Sequence, residues 1–264
     1  MTAGSGVMRD ELAAEARDAP LSTAAWLAAT VRSVLTYAGI SAYVALVAPP
    51  GMLLAMAFRW KALLYVLGHA GVRIGLFLSG IRYEVAGREH VPPGRAVVFC
   101  ANHQSNIDPP VLFEALHRRL HMLYKAELSR LPLLGRAIQL GGFIPIERQN
   151  RERAIASVNR GAESLQDGNS FLIFPEGTRS RTDALLPFKK GGFIMALQAQ
   201  APIVPVAITG GRAAMRKGSA VIRPVTVRIR IGEPVETGGR TVDDRDQVIA
   251  EARDRIEAML AEMK

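Results

Sequence analysis

Two residues of the segment Asn102-His103-Gln104-Ser105-Asn106-Ile107-Asp108 could do acid–base chemistry together. His103 and Asp108 stand five residues apart, a separation that a curved loop closes. A carboxylate accepting from one ring nitrogen fixes the tautomer and leaves the other nitrogen free as a base. The segment follows the apolar run Ala96-Val97-Val98-Phe99-Cys100 and precedes Pro109-Pro110, so it reads as a strand-to-helix loop. Asp108 is then the helix N-cap and Pro109 the first helical residue. Loops of this kind carry the chemistry of α/β folds. A capping carboxylate beside an unrelated loop histidine leaves the same trace, and these seven residues alone do not separate the two readings.

Arg148 and Arg179 offer planar donor forks suited to a phosphate monoester, and Lys125 is a weaker candidate for the same anion. Arg148 has Glu147, Arg151, Glu152 and Arg153 beside it, so a solvated charged face is its other reading. For Arg179 the other reading is an ion pair with Glu176 or Asp183. Glu176-Gly177-Thr178 reads as a tight turn in which the glycine permits close approach to a ligand. The amides of Gly177 and Thr178 are candidate oxyanion donors, and Glu176 could bind an acceptor hydroxyl or orient a basic residue. Phe188-Lys189-Lys190-Gly191 could meet phosphates of a donor or lipid, or simply face solvent. The single cysteine, Cys100, lies in an apolar run and reads as core.

Four blocks, in order, resemble the glycerolipid acyltransferase family that includes 1-acyl-sn-glycerol-3-phosphate acyltransferases. They are Asn102-His103 through Asp108; Lys125-Ala126-Glu127-Leu128 with Pro132, Gly135 and Gly142-Phe143-Ile144-Pro145-Ile146-Glu147-Arg148; Phe174-Pro175-Glu176-Gly177-Thr178-Arg179-Ser180; and Ile203-Val204-Pro205-Val206-Ala207. The third is the most specific. In the second, the family often has aspartate where this chain has Glu147. The resemblance implies transfer of a fatty acyl chain from acyl-CoA or acyl carrier protein to the sn-2 hydroxyl of lysophosphatidate, giving phosphatidate. His103 is then the general base, oriented by Asp108, and no acyl-enzyme is needed. Lys125, Arg148, Glu176, Gly177, Thr178 and Arg179 become substrate-binding residues. Glycerol 3-phosphate, other lysophospholipids and lyso-aminolipids are rival acceptors, and a non-catalytic lipid-binding protein is the rival from another class.

The elements that must position these residues begin with an uncharged run from Ser33 to Phe58, broken at Pro49-Pro50-Gly51. A second apolar stretch reaches Ile81, interrupted by Arg59, Lys61, His69 and Arg73. This predicts a two-helix hairpin over residues 21–81 that turns at Pro-Pro-Gly and dips into one leaflet, its basic residues at headgroup level; a full two-pass span and a buried helical pair of a soluble fold are its other readings. Residues 1–20, with Arg9 and Arg17 against Asp10, Glu11, Glu15 and Asp18, read as a mobile, acidic-leaning leader or a short surface helix. From residue 82 to 264 strands and helices alternate. Strands are expected at 96–100, 121–125, 143–146, 171–174, 203–208 and 225–231, and helices at 109–120, 133–140, 151–166, 191–200 and 243–263. That pattern predicts an α/β fold, a mixed sheet flanked by helices.

The formal charge of +9 suits an anionic membrane surface or phosphorylated substrates. Nucleic acid fits poorly, because no Lys/Arg-rich tract occurs and aromatics are only 6%. Nucleotide-binding glycine loops are absent, and His69, His90, His117 and His121 have no metal-site spacing. No metal and no tightly bound cofactor is therefore expected. The expected location is the cytoplasmic face of a membrane, the inner membrane in a bacterium.

Overall fold

The computed structural model describes residues 22–116, 119–147 and 150–263, so the leader expected over 1–20 and Arg148 lie outside the described residues. Helix α1 (Thr23–Ala57) and helix α2 (Lys61–Ser79) form an antiparallel pair. The turn between them is not at Pro49-Pro50-Gly51, because α1 runs straight through both prolines. They remove two ladder donors without ending the helix, a defect that helices in apolar surroundings tolerate. The reversal comes at Phe58-Arg59-Trp60, where Arg59 takes φ 54° and its N–H donates to Met56 O while Trp60 N–H donates to Ala55 O. Those two bonds satisfy carbonyls that the helix end would otherwise leave open. The first hairpin helix is therefore 35 residues long, roughly 52 Å at about 1.5 Å per residue.

The α/β part follows as β1 (Arg82–Ala86), β2 (Val98–Ala101), α3 (Asp108–Ala115), β3 (Leu120–Lys125), α4 (Leu134–Leu140) and β4 (Ile144–Ile146). Then come α5 (Arg151–Gln166), β5 (Ser170–Ile173), α6 (Gly191–Gln198), β6 (Ile203–Thr209), the single turn α7 (Gly211–Ala214), β7 (Thr226–Ile231) and α8 (Arg245–Glu262). The seven strands lie in the order β1-β7-β6-β2-β5-β3-β4, all neighbours parallel except β6 and β7. The expected mixed sheet is present. β1, which sequence reading missed, carries Arg82 and Glu84 in only five residues and reads as polar.

Strand β2 shows why the sheet sits at the centre. Val97, Phe99 and Ala101 pack into one apolar cluster with α2, α3, Val204 and Ile229. Val98 and Cys100 pack into a second, with α5, α6 and α8. A parallel strand buried on both faces reads as an unbroken apolar run, and β2, β5 and β6 do. Burial also pushes the Cys100 thiol far above its ordinary pKa, which keeps it unreactive.

The hairpin covers the first cluster. Ile222 N–H donates to Ser33 Oγ (2.8 Å), Tyr37 Oη donates to Ala220 O (2.8 Å) and Tyr65 Oη donates to Gly141 O (2.8 Å). Glu114 of α3, buried, accepts from His69 Nδ1 (2.7 Å) and Arg73 Nε (2.6 Å) of α2. Burial disfavours the charged Glu114, but those hydrogen bonds outweigh it and hold its carboxyl below the ordinary 4.5. A depressed carboxyl stabilises the fold above its unfolded pKa and stops doing so as pH falls through the lower folded value. Glu114→Gln is expected to cost about 1–3 kcal/mol at neutral pH. Melting curves should then show the variant's deficit shrinking as the pH is taken below about 4.5.

Elsewhere the hairpin is bare. Phe77 is 84% exposed, Leu46 75% and Phe58 72%. Both helices are long and apolar enough to cross a membrane by length and composition. Side chains of this kind gain about 1.5–3 kcal/mol each on leaving water, so the outer face is built for an apolar medium.

Candidate active site

Because β6, β2 and β5 are adjacent and parallel, their carboxyl ends bring three loops together, residues 102–107, 174–190 and 210–217. Asn102 fixes the first loop. Its Nδ2 donates to Ile208 O (3.0 Å) and its Oδ1 accepts from Ile208 N–H (2.8 Å). The chain then curls so that His103 Nδ1 lies 2.9 Å from Asp108 Oδ2. The same oxygen accepts from the N–H groups of Gln104 and Ser105, both at 2.7 Å. Asp108 is fully buried, and its carboxylate is turned back into the loop. Contrary to the expectation from sequence, it does not cap α3; Ile107 holds the cap position and Asp108 is the first helical residue.

Since Oδ2 only accepts, Nδ1 carries the hydrogen and Nε2 is left with a lone pair. Phe174 stacks on the imidazole at 4.2 Å between centroids and fixes its plane. The segment 174–180 also grips the His103 backbone from both sides. His103 N–H donates to Glu176 Oε1 (2.7 Å), and Ser180 N–H donates to His103 O (2.7 Å). Glu176 Oε2 accepts from Leu186 N–H (3.0 Å). Glu176 is buried, and that burial pushes its carboxyl above the usual range. Both its oxygens serve loop backbone, so its role here is to build the loop.

The expected oxyanion pair is halved. Gly177 N–H already donates to Phe174 O at 3.0 Å, closing the turn. Gly177 adopts φ +68°, with the Lys189 side chain directly over it. The Thr178 N–H remains as a candidate donor. Arg179 is half-buried and pairs with no carboxylate of the described residues, so neither Glu176 nor Asp183 takes it. Lys217, unnoticed in the sequence, donates to Arg179 O (2.8 Å) and Thr178 Oγ1 (3.2 Å). Lys125, at the end of β3, is exposed and paired with Glu127 at 3.2 Å. Lys190 is paired with Asp246 at 3.2 Å.

Gly211 is the other residue that sequence reading passed over. Asp108 Oδ1 is buried without a hydrogen-bond partner, and a Cβ on Gly211 would overlap it. Two glycines straight after the apolar β6 run were the available signal. Gly211→Ala is expected to push Asp108 aside and lower kcat by about 10²-fold, the scale of an ångström misplacement. Steady-state rates measured beside a melting curve check this.

An apolar cavity of about 720 Å³ opens beside the dyad. Asn106, Ile107 and Pro109, which flank Asp108, form one wall; Tyr43 and Met52 of α1 and Phe113 of α3 lie deeper. Its size is that of a pocket for a small-molecule ligand, roughly 300–1,000 Å³.

The arrangement can deprotonate a hydroxyl at Nε2 beside an apolar slot and the half-buried Arg179. Residues 82–209 match the family model described as Acyltransferase. The 1-acyl-sn-glycerol-3-phosphate acyltransferase of Limnanthes douglasii is 34% identical over 204 residues, covering 75% of this chain and 72% of that protein. The human 1-acyl-sn-glycerol-3-phosphate acyltransferase alpha is 38% identical over 170 residues, 64% of this chain and 60% of its own. Among solved structures, the 1-acyl-sn-glycerophosphate acyltransferase of Thermotoga maritima superposes with a TM-score of 0.76 at 22% identity. It covers 90% of this chain and 98% of that one.

Proposed function

The chain belongs to the acyltransferase family that includes the 1-acyl-sn-glycerol-3-phosphate acyltransferases, and from that premise we propose that it acylates lysophosphatidate with His103 as the base. The observation that carries this reading is the His103–Asp108 contact of 2.9 Å beside the apolar cavity. Nε2 takes the proton of the sn-2 hydroxyl as its oxygen attacks the thioester carbonyl of acyl-CoA or acyl carrier protein. The new ester bond forms, the carbon–sulfur bond breaks, and the leaving thiolate recovers the proton from the imidazolium. Asp108 stabilises that imidazolium while it exists. The Thr178 N–H supports the developing oxyanion.

Arg179, together with Arg148, takes the phosphate monoester, and Lys217 holds the Arg179 backbone in place. The cavity between hairpin and α3 receives an acyl chain. No metal or bound cofactor enters this scheme. The apolar hairpin fits a membrane-borne acceptor and product, with the catalytic part at the cytoplasmic surface. Arg179→Ala tests the phosphate assignment. Charged hydrogen bonds are worth about 1.5–3 kcal/mol, so KM for lysophosphatidate should rise roughly 10- to 150-fold, with kcat little changed. An acceptor lacking the phosphate should show no such rise. An unchanged KM for lysophosphatidate removes Arg179 from the site.

A further inference from the structure

We propose that the segment Leu128–Leu134 is a second membrane-inserting element, seated in the same phospholipid leaflet as the hairpin. It lies outside the dyad and its loops, and the inference stands whether or not lysophosphatidate is the acceptor. Leu128, Leu131 and Leu134 are 43%, 44% and 42% exposed, at intervals of three. The first belongs to the 3₁₀ turn Ala126–Arg130, the second ends it and the third opens α4. In a 3₁₀ turn residues three apart eclipse one another, so Leu128 and Leu131 share a side; at Leu131 the backbone becomes extended, and Leu134 opens α4 at the cavity wall. Around them Lys125, Arg130 and Arg136 are exposed. With Glu127 paired to Lys125, the exposed charges around the leucines still leave a net +2, which matches a leaflet with anionic headgroups.

The segment is held in shape. Tyr124 Oη and Ser129 Oγ bond at 2.8 Å, Leu133 takes φ 59°, and Gly135 packs so closely on the Ser129 carbonyl that no Cβ fits. It is also continuous with the hairpin. Helix α4 packs on α1 and α2, and Leu134, Ala137 and Ile138 share the cavity wall with Val47 and Met52. Leu134 thus borders the same cavity as the inner wall of the hairpin. An acyl chain leaving that cavity then passes into hydrocarbon without crossing water.

The test places nitroxide labels on the full chain in vesicles of phosphatidylcholine and phosphatidylglycerol. The labelled variants are Leu128→Cys and Leu131→Cys, with Phe77→Cys on the hairpin and Val242→Cys beside α6 and α8 on the far layer as references. Cys100 is buried, with its thiol pKa pushed up, and stays unlabelled. Accessibility to oxygen and to a water-soluble nickel complex is read at each site. The expected result is that Leu128 and Leu131 behave like Phe77, rich in oxygen and shielded from nickel, with the oxygen-to-nickel ratio inverted relative to Val242. Nickel access equal to that at Val242 overturns the proposal. Shielding from both reagents also overturns it, in favour of a protein surface on that segment.

Discussion

Replacing His103 by alanine is expected to lower kcat for acyl transfer by about 10²- to 10⁴-fold, the usual worth of a positioned general base. The chain should still fold. Asp108 keeps two backbone donors, Gln104 N–H and Ser105 N–H, and the loop keeps the Asn102–Ile208 and Glu176–His103 backbone bonds. KM for the acceptor should change little, because its phosphate is held elsewhere. Steady-state kinetics with a melting curve on the same preparation check all three expectations. A variant that is slow only because it is unfolded would show itself in the melt.

Asp108→Asn should cost comparable activity for a different reason. Three donors converge on Oδ2, so the asparagine must present its carbonyl there, and its amide then occupies the partnerless position against Gly211. Geometry is nearly kept, but the charge that supports the imidazolium is gone. A loss of about 10²- to 10⁴-fold in kcat is expected, by the logic of a base deprived of its orienting carboxylate. Stability should fall as well, by about 1–3 kcal/mol, because two buried N–H groups lose a charged acceptor and a buried amide lacks partners. The melting temperature therefore separates this variant from His103→Ala. The double variant should be little slower than His103→Ala alone, since a dyad acting as one unit is lost only once.

The dyad was legible because its partners are local, five residues apart in one loop. Strands β2, β5 and β6 were legible because parallel strands buried on both faces are continuous apolar runs, and α8 because Val248, Ala252, Ile256 and Met259 recur along it at helical spacing. What stayed hidden depends on distant contacts. Nothing near Gly211 in the chain tells of Asp108, and nothing near Glu114 tells of His69 and Arg73. The Asp108 cap failed because a carboxylate at a helix start can face either way, and here three loop donors outbid the helix amides. The Pro-Pro-Gly turn failed because a long apolar helix can lose two ladder donors and still continue, as α1 does through Pro49 and Pro50. The first cations after the apolar run, Arg59 and Lys61 beside Trp60, mark the true reversal.

The central claim is tested most directly by the product itself. Full-length protein in phospholipid vesicles is given labelled acyl-CoA and lysophosphatidate, and the lipids are separated after a timed incubation. The account predicts labelled phosphatidate from the native chain, almost none from His103→Ala, and no label retained on the protein when the acceptor is omitted. Equal phosphatidate from the alanine variant, or none from the native chain, contradicts it.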